Sequence, residues 1–312
     1  MRSHPGRFIL HETLPLKVNR DQIAIFDPGN LAIPSCSQMD WRIAMSILAS
    51  EAVRMGAVAS LSEGEVHALT HKAFIGMSID GPIILRGASL TLYAVREASQ
   101  GEELHLDVPG YLRGKSRATR AYAHLSRRVG IQRSAPQNNF RRVIAAIVEP
   151  GAFCFDTVKY ITEASTHIDL DLLIAILNSK LIDWYFRLAS TNSKVNEYQF
   201  DLLPFPAMVK GGAVAWQPLV NCGEWDRVTN LLMTTCTRAG TMPLSVTEAI
   251  SEMSRRIQAI ESRRVLKNRS ERSHLAPESQ PIQDAIDAIL FRCYGLSEEE
   301  GKYITHRLGE ML

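Results

Sequence analysis

Short runs of β-branched and aromatic residues, separated by Gly and Pro, dominate the hydrophobic pattern from about residue 60 to residue 165. Runs of this kind predict short strands rather than amphipathic helices. Glu149-Pro150-Gly151 lies between the last two runs and predicts a hairpin turn. The predicted strands are Phe74–Met77, Ile83–Leu85, Leu90–Val95, Val129–Ile131, Arg142–Val148 and Ala152–Phe155.

Apolar residues recur at helical spacing on both sides of this β-rich region. Before it, a helix is predicted from about Asp40 to Met55, after a Pro/Gly-rich turn at Asp27–Asn30. After it, Leu170–Leu188 is apolar on most faces, which predicts a long and largely buried helix. Thr166–Asp169 fits a capping box at the start of that helix. Leu202–Pro206 predicts an extended segment beyond its end, because a residue that precedes Pro disfavours the α region.

The chain beyond residue 210 has the pattern of a helical region. Ser297–Glu300 forms a second capping box, and Gly295 fits the C-terminal cap of the preceding helix. The helices predicted here are Glu224–Cys236, Ser245–Ser273, Pro281–Tyr294 and Ser297–Leu312. The pattern predicts an α+β fold, in which a β-rich domain with a long packed helix precedes a mainly helical C-terminal region. The predicted boundaries are 1–58 for a connector with one helix, 59–207 for the β-rich domain and 208–312 for the helical region.

Composition argues against several classes of protein. No run of about eighteen or more apolar residues is present, and the N-terminus has only a short apolar patch at Phe8–Leu10. Neither a membrane span nor a signal peptide is therefore predicted, and we expect a cytoplasmic protein. The five cysteines are widely spaced without a Cys-x-x-Cys pair, which argues against a disulfide framework and a structural zinc site. His67 and His71 have a metal-compatible spacing if helical, but no third ligand is evident, so no metal site is predicted.

The distribution of charge along the chain is more informative than the formal net charge of +2. No acidic residue occurs between Asp107 and Glu149, an interval that holds nine of the 35 Lys and Arg residues. The other 26 basic residues stand against 33 acidic ones, so the rest of the chain has a formal charge of −7. A local excess of positive charge is expected where a polyanion binds. We call these nine residues the basic island: Arg113, Lys115, Arg117, Arg120, Arg127, Arg128, Arg133, Arg141 and Arg142.

The basic island predicts a DNA-binding surface. All but one of its members are Arg, whose planar guanidinium suits phosphates and guanine edges. Those between Arg113 and Arg120 lie near glycines, in a predicted loop that can enter a groove. Asn138 and Asn139, beside the last two arginines, are predicted to add a bidentate adenine contact. The alternative is a solvated basic face that binds nothing.

A second basic cluster lies in the predicted helix Ser245–Ser273. It is interpreted as a solvated charged face, with a further contact to the DNA backbone as the alternative. Its members are Arg255, Arg256, Arg263, Arg264, Lys267, Arg269 and Arg272.

Three stretches of the chain resemble a known family. They are Leu173–Arg187 (LIAILNSKLIDWYFR) with the following Asp201–Pro206 (DLLPFP), Asp287–Glu300 (DAILFRCYGLSEEE) and, more loosely, Arg128–Phe155. These resemble the C-terminal target-recognition part of gamma-class N6-adenine DNA methyltransferases and of Type IIG restriction–modification enzymes. The resemblance covers most of the chain from about residue 60 onward. It implies a sequence-specific duplex-DNA recognition module that serves a methyltransferase or restriction catalytic subunit or domain.

The chain departs from that family in its catalytic motifs. It has no glycine-rich motif for S-adenosylmethionine and no Asn-Pro-Pro-Tyr-like tetrapeptide, which in this family holds the flipped adenine. No metal-dependent nuclease site is expected either. We therefore expect no catalytic residue, cofactor or metal on this chain, and S-adenosylmethionine on the catalytic partner. Asn178 and Ser179 of the family's Leu-Asn-Ser step are expected to cap or pack their helix.

Two other functions remain open at this point. The chain is alternatively the C-terminal part of a Type IIG enzyme whose catalytic half is encoded elsewhere. In a different class, it is a scaffold whose basic island binds RNA or an acidic protein. An adjacent reading frame with an Asn-Pro-Pro-Tyr motif would indicate the split enzyme. Competition between duplex DNA and structured RNA for binding to the chain distinguishes the scaffold from the DNA-recognition module.

Overall fold

A computed structural model of the chain describes residues 16–97, 101–190, 192–268 and 270–311. It confirms the predicted α+β class, with a helical C-terminal region. The predicted apolar patch Phe8–Leu10 and the basic residue Arg269 lie outside the described residues. The helices are α1 (Arg20–Phe26), α2 (Gln38–Leu48), α3 (Val108–Leu112), α4 (Leu170–Leu177), α5 (Lys180–Ala189), α6 (Glu197–Asp201), α7 (Gln217–Cys222), α8 (Trp225–Thr235), α9 (Leu244–Arg263), α10 (Gln280–Cys293) and α11 (Glu298–Glu310).

The strands are short, and most of them pair in twos. They are β1 (Val53–Arg54), β2 (Ser62–Glu63), β3 (Ile75–Gly76), β4 (Ile84–Leu85), β5 (His105–Leu106), β6 (Arg128–Gln132), β7 (Ala145–Val148), β8 (Phe153–Cys154), β9 (Val158–Thr162), β10 (Pro204–Phe205), β11 (Ala207–Val209) and β12 (Thr241–Pro243).

An antiparallel sheet in the order β2-β9-β6-β7 forms the centre of the β-rich region. Its middle strand, β6, confirms the strand predicted at Val129–Ile131, and both of these apolar side chains are buried. Gly130 lies between them in close contact with β7, because a Cβ there would come 2.8 Å from a methyl group of Val148. A side chain at this position would therefore push the two strands apart.

Two predictions for the β-rich region are wrong. Leu90–Val95 does not form a strand; its ends make an isolated bridge around Tyr93, which has a positive φ of 65°. Glu149–Gly151 is a turn but does not close a hairpin, because β7 pairs with β6 whereas β8 pairs in parallel with β4. Local turn signals identify where the chain bends, but tertiary pairing selects the partner strand.

The long buried helix predicted at Leu170–Leu188 is two helices, α4 and α5, with a break at Asn178-Ser179. Asn178 is buried, and its side-chain amide donates to the Ala145 carbonyl while its oxygen accepts the Ala145 N–H, both at 2.9 Å. Ser179 caps α5 by accepting the N–H of Ile182. The capping and packing role expected for these two residues is confirmed.

The N-terminal cap of α4 differs from the predicted capping box. Asp169 alone accepts the first free amides of the helix, from Asp171 and Leu172. Thr166 instead donates its hydroxyl to the Val58 carbonyl at 2.8 Å. Asp is a strong N-cap residue by itself, so the helix begins without the threonine.

The predicted C-terminal helices are present, with one of them shorter than expected, and the structure adds α7, which the pattern did not predict. Ser297 and Glu300 form the predicted capping box of α11, and Gly295 adopts the positive φ, 79°, that favours glycine after a helix. The shorter helix is α9, which ends at Arg263 rather than at Ser273. At the other end of the chain, α2 ends at Leu48, whereas the predicted helix continues to Met55.

Two hydrophobic cores are present in the described part of the chain. The larger core contains residues from all three predicted segments, and α4 lies within it in contact with both the central sheet and α9. The smaller core is built from residues that include Val66, Leu106, Tyr111 and Phe153. We call residues 65–86 and 102–126, which surround the smaller core, the satellite lobe.

The predicted boundary at residue 208 stays a prediction, although contacts cross it: Tyr294 donates its hydroxyl to the Pro204 carbonyl at 2.8 Å. Of the helices within the described ranges, none is both long and apolar enough to span a bilayer.

Candidate nucleic-acid interface

The basic island is divided by the fold into two groups that differ in exposure and partners. One group lies in the satellite lobe, and the other lies in or next to the central sheet. We call the first group the lobe cations: Arg113, Lys115, Arg117 and Arg120. We call the second group the anchored arginines: Arg127, Arg128, Arg133, Arg141 and Arg142.

The lobe cations follow the short helix α3 in the chain. Asp107 caps this helix by accepting the N–H of Gly110 at 3.1 Å, and the chain leaves it through Gly114, at a positive φ of 73°. A 3₁₀ turn at Arg120–Leu125 follows. Arg113, Arg117 and Arg120 are exposed, and Lys115 is half-buried. Within the described residues, none of these four side chains makes an ion pair with a carboxylate.

Tyr111 contacts one of the lobe cations directly, Lys115. Its ring is buried, and its hydroxyl donates to the Glu65 carbonyl at 2.7 Å. The ammonium of Lys115 lies 3.2 Å from the ring centroid, a cation–π contact. Burial raises the pKa of Tyr111 well above its usual value, while the charge of Arg120 acts in the opposite direction. Arg120 thus contributes to the electrostatic surroundings of the tyrosine that Lys115 contacts.

A second segment without acidic residues meets this group. Val66–Ile79 contains no Asp or Glu, and its turn at His67–His71 reaches Tyr111 through an edge-on ring contact of 4.9 Å from His71. Burial, followed by the nearby charge of Lys115, lowers the pKa of His71. Lys72 in the same segment is exposed. Tyr111 and Lys72 were not predicted from the sequence as part of the site, because Tyr111 meets Lys115 and the turn that precedes Lys72 only in the fold.

The two histidines of that turn are not on an α-helix. The His67 N–H donates to Nδ1 of His71 at 2.9 Å, so the pair supports the turn itself. Among the residues that the structure describes, no group of three or more His, Cys, Asp or Glu side chains is placed to hold a metal ion.

Arg128 and Arg142 correct the expectation that the whole island forms one surface, because both side chains are buried. Arg128 donates to both carboxylate oxygens of Glu65, at 3.0 and 3.1 Å, and neither side chain of this pair is exposed. Its guanidinium also lies over the ring of Tyr160, 4.7 Å from the centroid. A charge held in this way is inaccessible to DNA.

Arg142 is buried in a second polar cluster. Its guanidinium donates to the Ser190 hydroxyl at 3.1 Å and to the Asn192 carbonyl, and lies over the ring of Phe186. Its backbone N–H donates to Asp183 at 2.5 Å. Burial, with the like charge of Arg187, lowers the pKa of Arg142 to about 10.

The other anchored arginines are partly exposed but engaged with acidic residues. Arg127 pairs with Asp171 at 2.7 Å, and Arg133 pairs with Glu63 at 2.6 Å. Arg141 is 13% exposed and lies 4.0 Å from Asp183. These partners come from other parts of the chain, which is why an acid-free interval in the sequence is not an acid-free surface in the fold.

The two asparagines predicted to contact adenine differ in exposure and in hydrogen bonding. Asn138 is exposed. Asn139 is half-buried; its side-chain amide donates to the Arg141 carbonyl, and its own carbonyl accepts from Arg187, both at 2.8 Å. One amide hydrogen of the Asn139 side chain is therefore already bonded within the loop that contains Arg141.

The second basic cluster, after residue 250, is also largely engaged. Arg255 pairs with Glu252 and Asp171, at 3.2 and 3.3 Å. Arg256 pairs with Glu252 at 3.2 Å and donates to Asn221 at 2.6 Å. Arg255, Arg256 and Arg263 lie on α9, whereas Arg264, Lys267 and Arg272 lie beyond its end, so the cluster is not a single helix face as expected.

No protein-family model matches this chain, and no curated protein sequence matches it. Among solved structures, the chain is similar to the Type IIL restriction–modification enzyme MmeI, in a structure that contains DNA. The similarity has a TM-score of 0.45 at 10% identity and covers 83% of this chain. The chain spans 36% of the length of the MmeI chain.

Proposed function

We propose that this chain recognises a short sequence in double-stranded DNA for an adenine-specific methyltransferase or restriction–modification system. Its work is positioning: it binds the duplex so that a target adenine meets the active site of a catalytic subunit or domain. S-adenosylmethionine and the base-flipping chemistry belong to that partner, because this sequence has neither the cofactor motif nor the Asn-Pro-Pro-Tyr-like motif.

The observation that carries the proposal is the contrast within the basic island. Five arginines are engaged with other groups of the protein, whereas four neighbouring cations remain without a carboxylate partner in the described structure. Cations on one lobe without carboxylate partners, three of them exposed, provide an electrostatic surface for phosphates. Exposed charges without such partners add little to stability, so their presence on this lobe favours a binding role.

The four lobe cations are suited to different tasks. Lys115 is held over Tyr111 and has its pKa lowered by burial, so we assign it a fixed contact with one phosphate. Arg113, Arg117 and Arg120 are exposed and reach farther, and we assign base-edge contacts to Arg117 and Arg120. Bidentate contacts of this kind discriminate bases, whereas phosphate contacts only position the protein.

Selection of random duplex DNA by the purified chain tests this function, with and without the candidate methyltransferase. We expect enrichment of a motif of several base pairs. Arg117→Ala with Arg120→Ala should weaken binding and relax the motif at one or two positions, each discriminating contact being worth about 1–3 kcal/mol. Absence of any enriched motif, together with a preference for structured RNA as competitor, would exclude the proposal in favour of an RNA-binding scaffold.

A further inference from the structure

Leu69 is the most exposed large hydrophobic side chain within the described ranges, with 93% of its surface accessible. It lies at the tip of the His67–His71 turn, near the start of the acid-free segment Val66–Ile79 of the satellite lobe. Its neighbours Ala68, Thr70 and Lys72 are exposed as well. The turn thus presents one large apolar side chain among small and positively charged ones.

The base of this turn is fixed to the lobe. The His71 N–H donates to the His67 carbonyl at 3.0 Å, and the Phe74 N–H donates to the His71 carbonyl at 2.9 Å. The preceding residue, Val66, is buried in the smaller core. Leu69 is therefore held outward by a turn that is closed by backbone hydrogen bonds at its base.

The ring of Tyr111 contacts both the turn, through His71, and Lys115 of the lobe cations. The ring of His71 contacts the Tyr111 ring edge-on at 4.9 Å, and the Lys115 ammonium lies 3.2 Å from the centroid of the Tyr111 ring. A duplex whose phosphates contact Lys115 and its neighbours consequently passes beside the turn that carries Leu69. An exposed apolar side chain between cations is the arrangement that architectural DNA-binding proteins use to enter a base step.

We propose that Leu69 is a wedge that inserts between two adjacent base pairs of the bound duplex. This inference rests on the proposed function, since it requires that the lobe cations bind DNA. Insertion costs the stacking energy of one step, and the burial of the leucine side chain and the closer phosphate contacts of a bent duplex offset that cost. The recognised site should therefore contain a flexible pyrimidine–purine step, TA or CA/TG, where the wedge enters. An unstacked step near the target also lowers the cost of flipping the adenine for the partner.

Fluorescence of 2-aminopurine, placed in turn at each position of the selected site, tests the wedge, because this base brightens when it loses stacking. We expect a rise at one step with the unaltered chain and no rise with Leu69→Ala. The affinity of Leu69→Ala should fall about tenfold, since part of a leucine's burial is lost. Its salt dependence should stay unchanged, because no charge is removed.

Val265→Ala is the matched control, because Val265 is 85% exposed but lies outside the satellite lobe. It should leave both affinity and fluorescence unchanged. Equal fluorescence and affinity for Leu69→Ala and the unaltered chain would overturn the wedge alone, provided that Arg117→Ala with Arg120→Ala still weakens binding. Failure of the unaltered chain to bind any duplex would overturn both the wedge and the proposed function.

Discussion

The lobe cations and the anchored arginines are neighbours in sequence, yet the fold gives them opposite environments. Arg128 has no exposed surface and holds Glu65, whereas Arg117, eleven positions earlier, is exposed without a carboxylate partner in the described structure. A run of positive charge in a sequence therefore does not identify a binding surface by itself. A basic side chain has a structural role when a carboxylate from a distant part of the sequence pairs with it in the fold. A basic side chain without such a partner stays available to bind a ligand.

The largest effect should come from breaking the buried pair of the anchored group. Arg128→Met leaves the Glu65 carboxylate buried without its partner, which should lower the free energy of unfolding by about 3–5 kcal/mol. Urea denaturation measures this change. Adding Glu65→Leu to Arg128→Met should recover most of the loss, because an apolar pair replaces the ion pair.

The matched comparison is Arg117→Ala, which should change the free energy of unfolding by no more than about 0.5 kcal/mol. A small loss for Arg128→Met, similar to that for Arg117→Ala, would remove the distinction between the two groups.

A smaller effect on stability is expected from a change at Asp171. Its carboxylate accepts hydrogen bonds from Arg127, Arg255 and Gln258, and these bonds join the central sheet to α9. Burial raises the pKa of Asp171, but its bonds to these donors outweigh burial and hold the pKa below the usual 3.8. The deprotonated form is favoured by folding, so its contribution is present above about pH 3.8 and is lost as the pH falls through the folded pKa.

Asp171→Asn should lower the stability at neutral pH by about 1–3 kcal/mol and reduce the loss seen on acidification below pH 4. Urea denaturation at pH 7 and at pH 3 measures both. Parallel pH profiles for the variant and the unaltered chain would show that Arg127 is not anchored by this carboxylate.

The smallest expected effect on stability is the pH-dependent contribution of His71 in the satellite lobe. Burial lowers its pKa below the usual 6.5, so the neutral ring is favoured by folding. Its contribution to stability is present above about pH 6.5 and is lost as the pH falls toward the folded pKa, because a protonated Nδ1 no longer accepts the His67 N–H. Amide hydrogen exchange of His67 should accelerate as the pH falls below about 6.5, after correction for the intrinsic rate.

His71→Gln, which does not titrate, should remove this pH dependence of protection. The amides of the central sheet serve as the internal control, and they should keep their protection over the same range. Loss of protection in the sheet at the same pH would contradict a change confined to the lobe.

Local patterns predicted much of the fold because the responsible contacts are local. Ser297 and Glu300 cap α11 within one turn, and Val129–Ile131 has the composition of a buried strand. The break at Asn178 was missed because its side chain bonds to Ala145, on a strand 33 positions away.

The candidate site was predicted in part for the same reason. The arginines of the basic island are visible in the sequence, but Glu65 and Asp183, which engage some of them, are distant along the chain. Tyr111 and Leu69 have no local signal at all. Their significance comes from a turn and a helix that meet only in the folded lobe.

The salt dependence of duplex binding tests the division of the basic island most directly. The slope of log K against log salt would be measured for the unaltered chain, for Arg113→Ala/Arg117→Ala/Arg120→Ala, and for Arg42→Ala/Arg227→Ala/Arg238→Ala. The last set removes three arginines that are more than half exposed and that pair with surface carboxylates elsewhere on the molecule. The account predicts that the lobe variant reduces the slope by about 2–3, at roughly 0.9 for each lost phosphate contact, while the control keeps it. Equal slopes for all three proteins would contradict it.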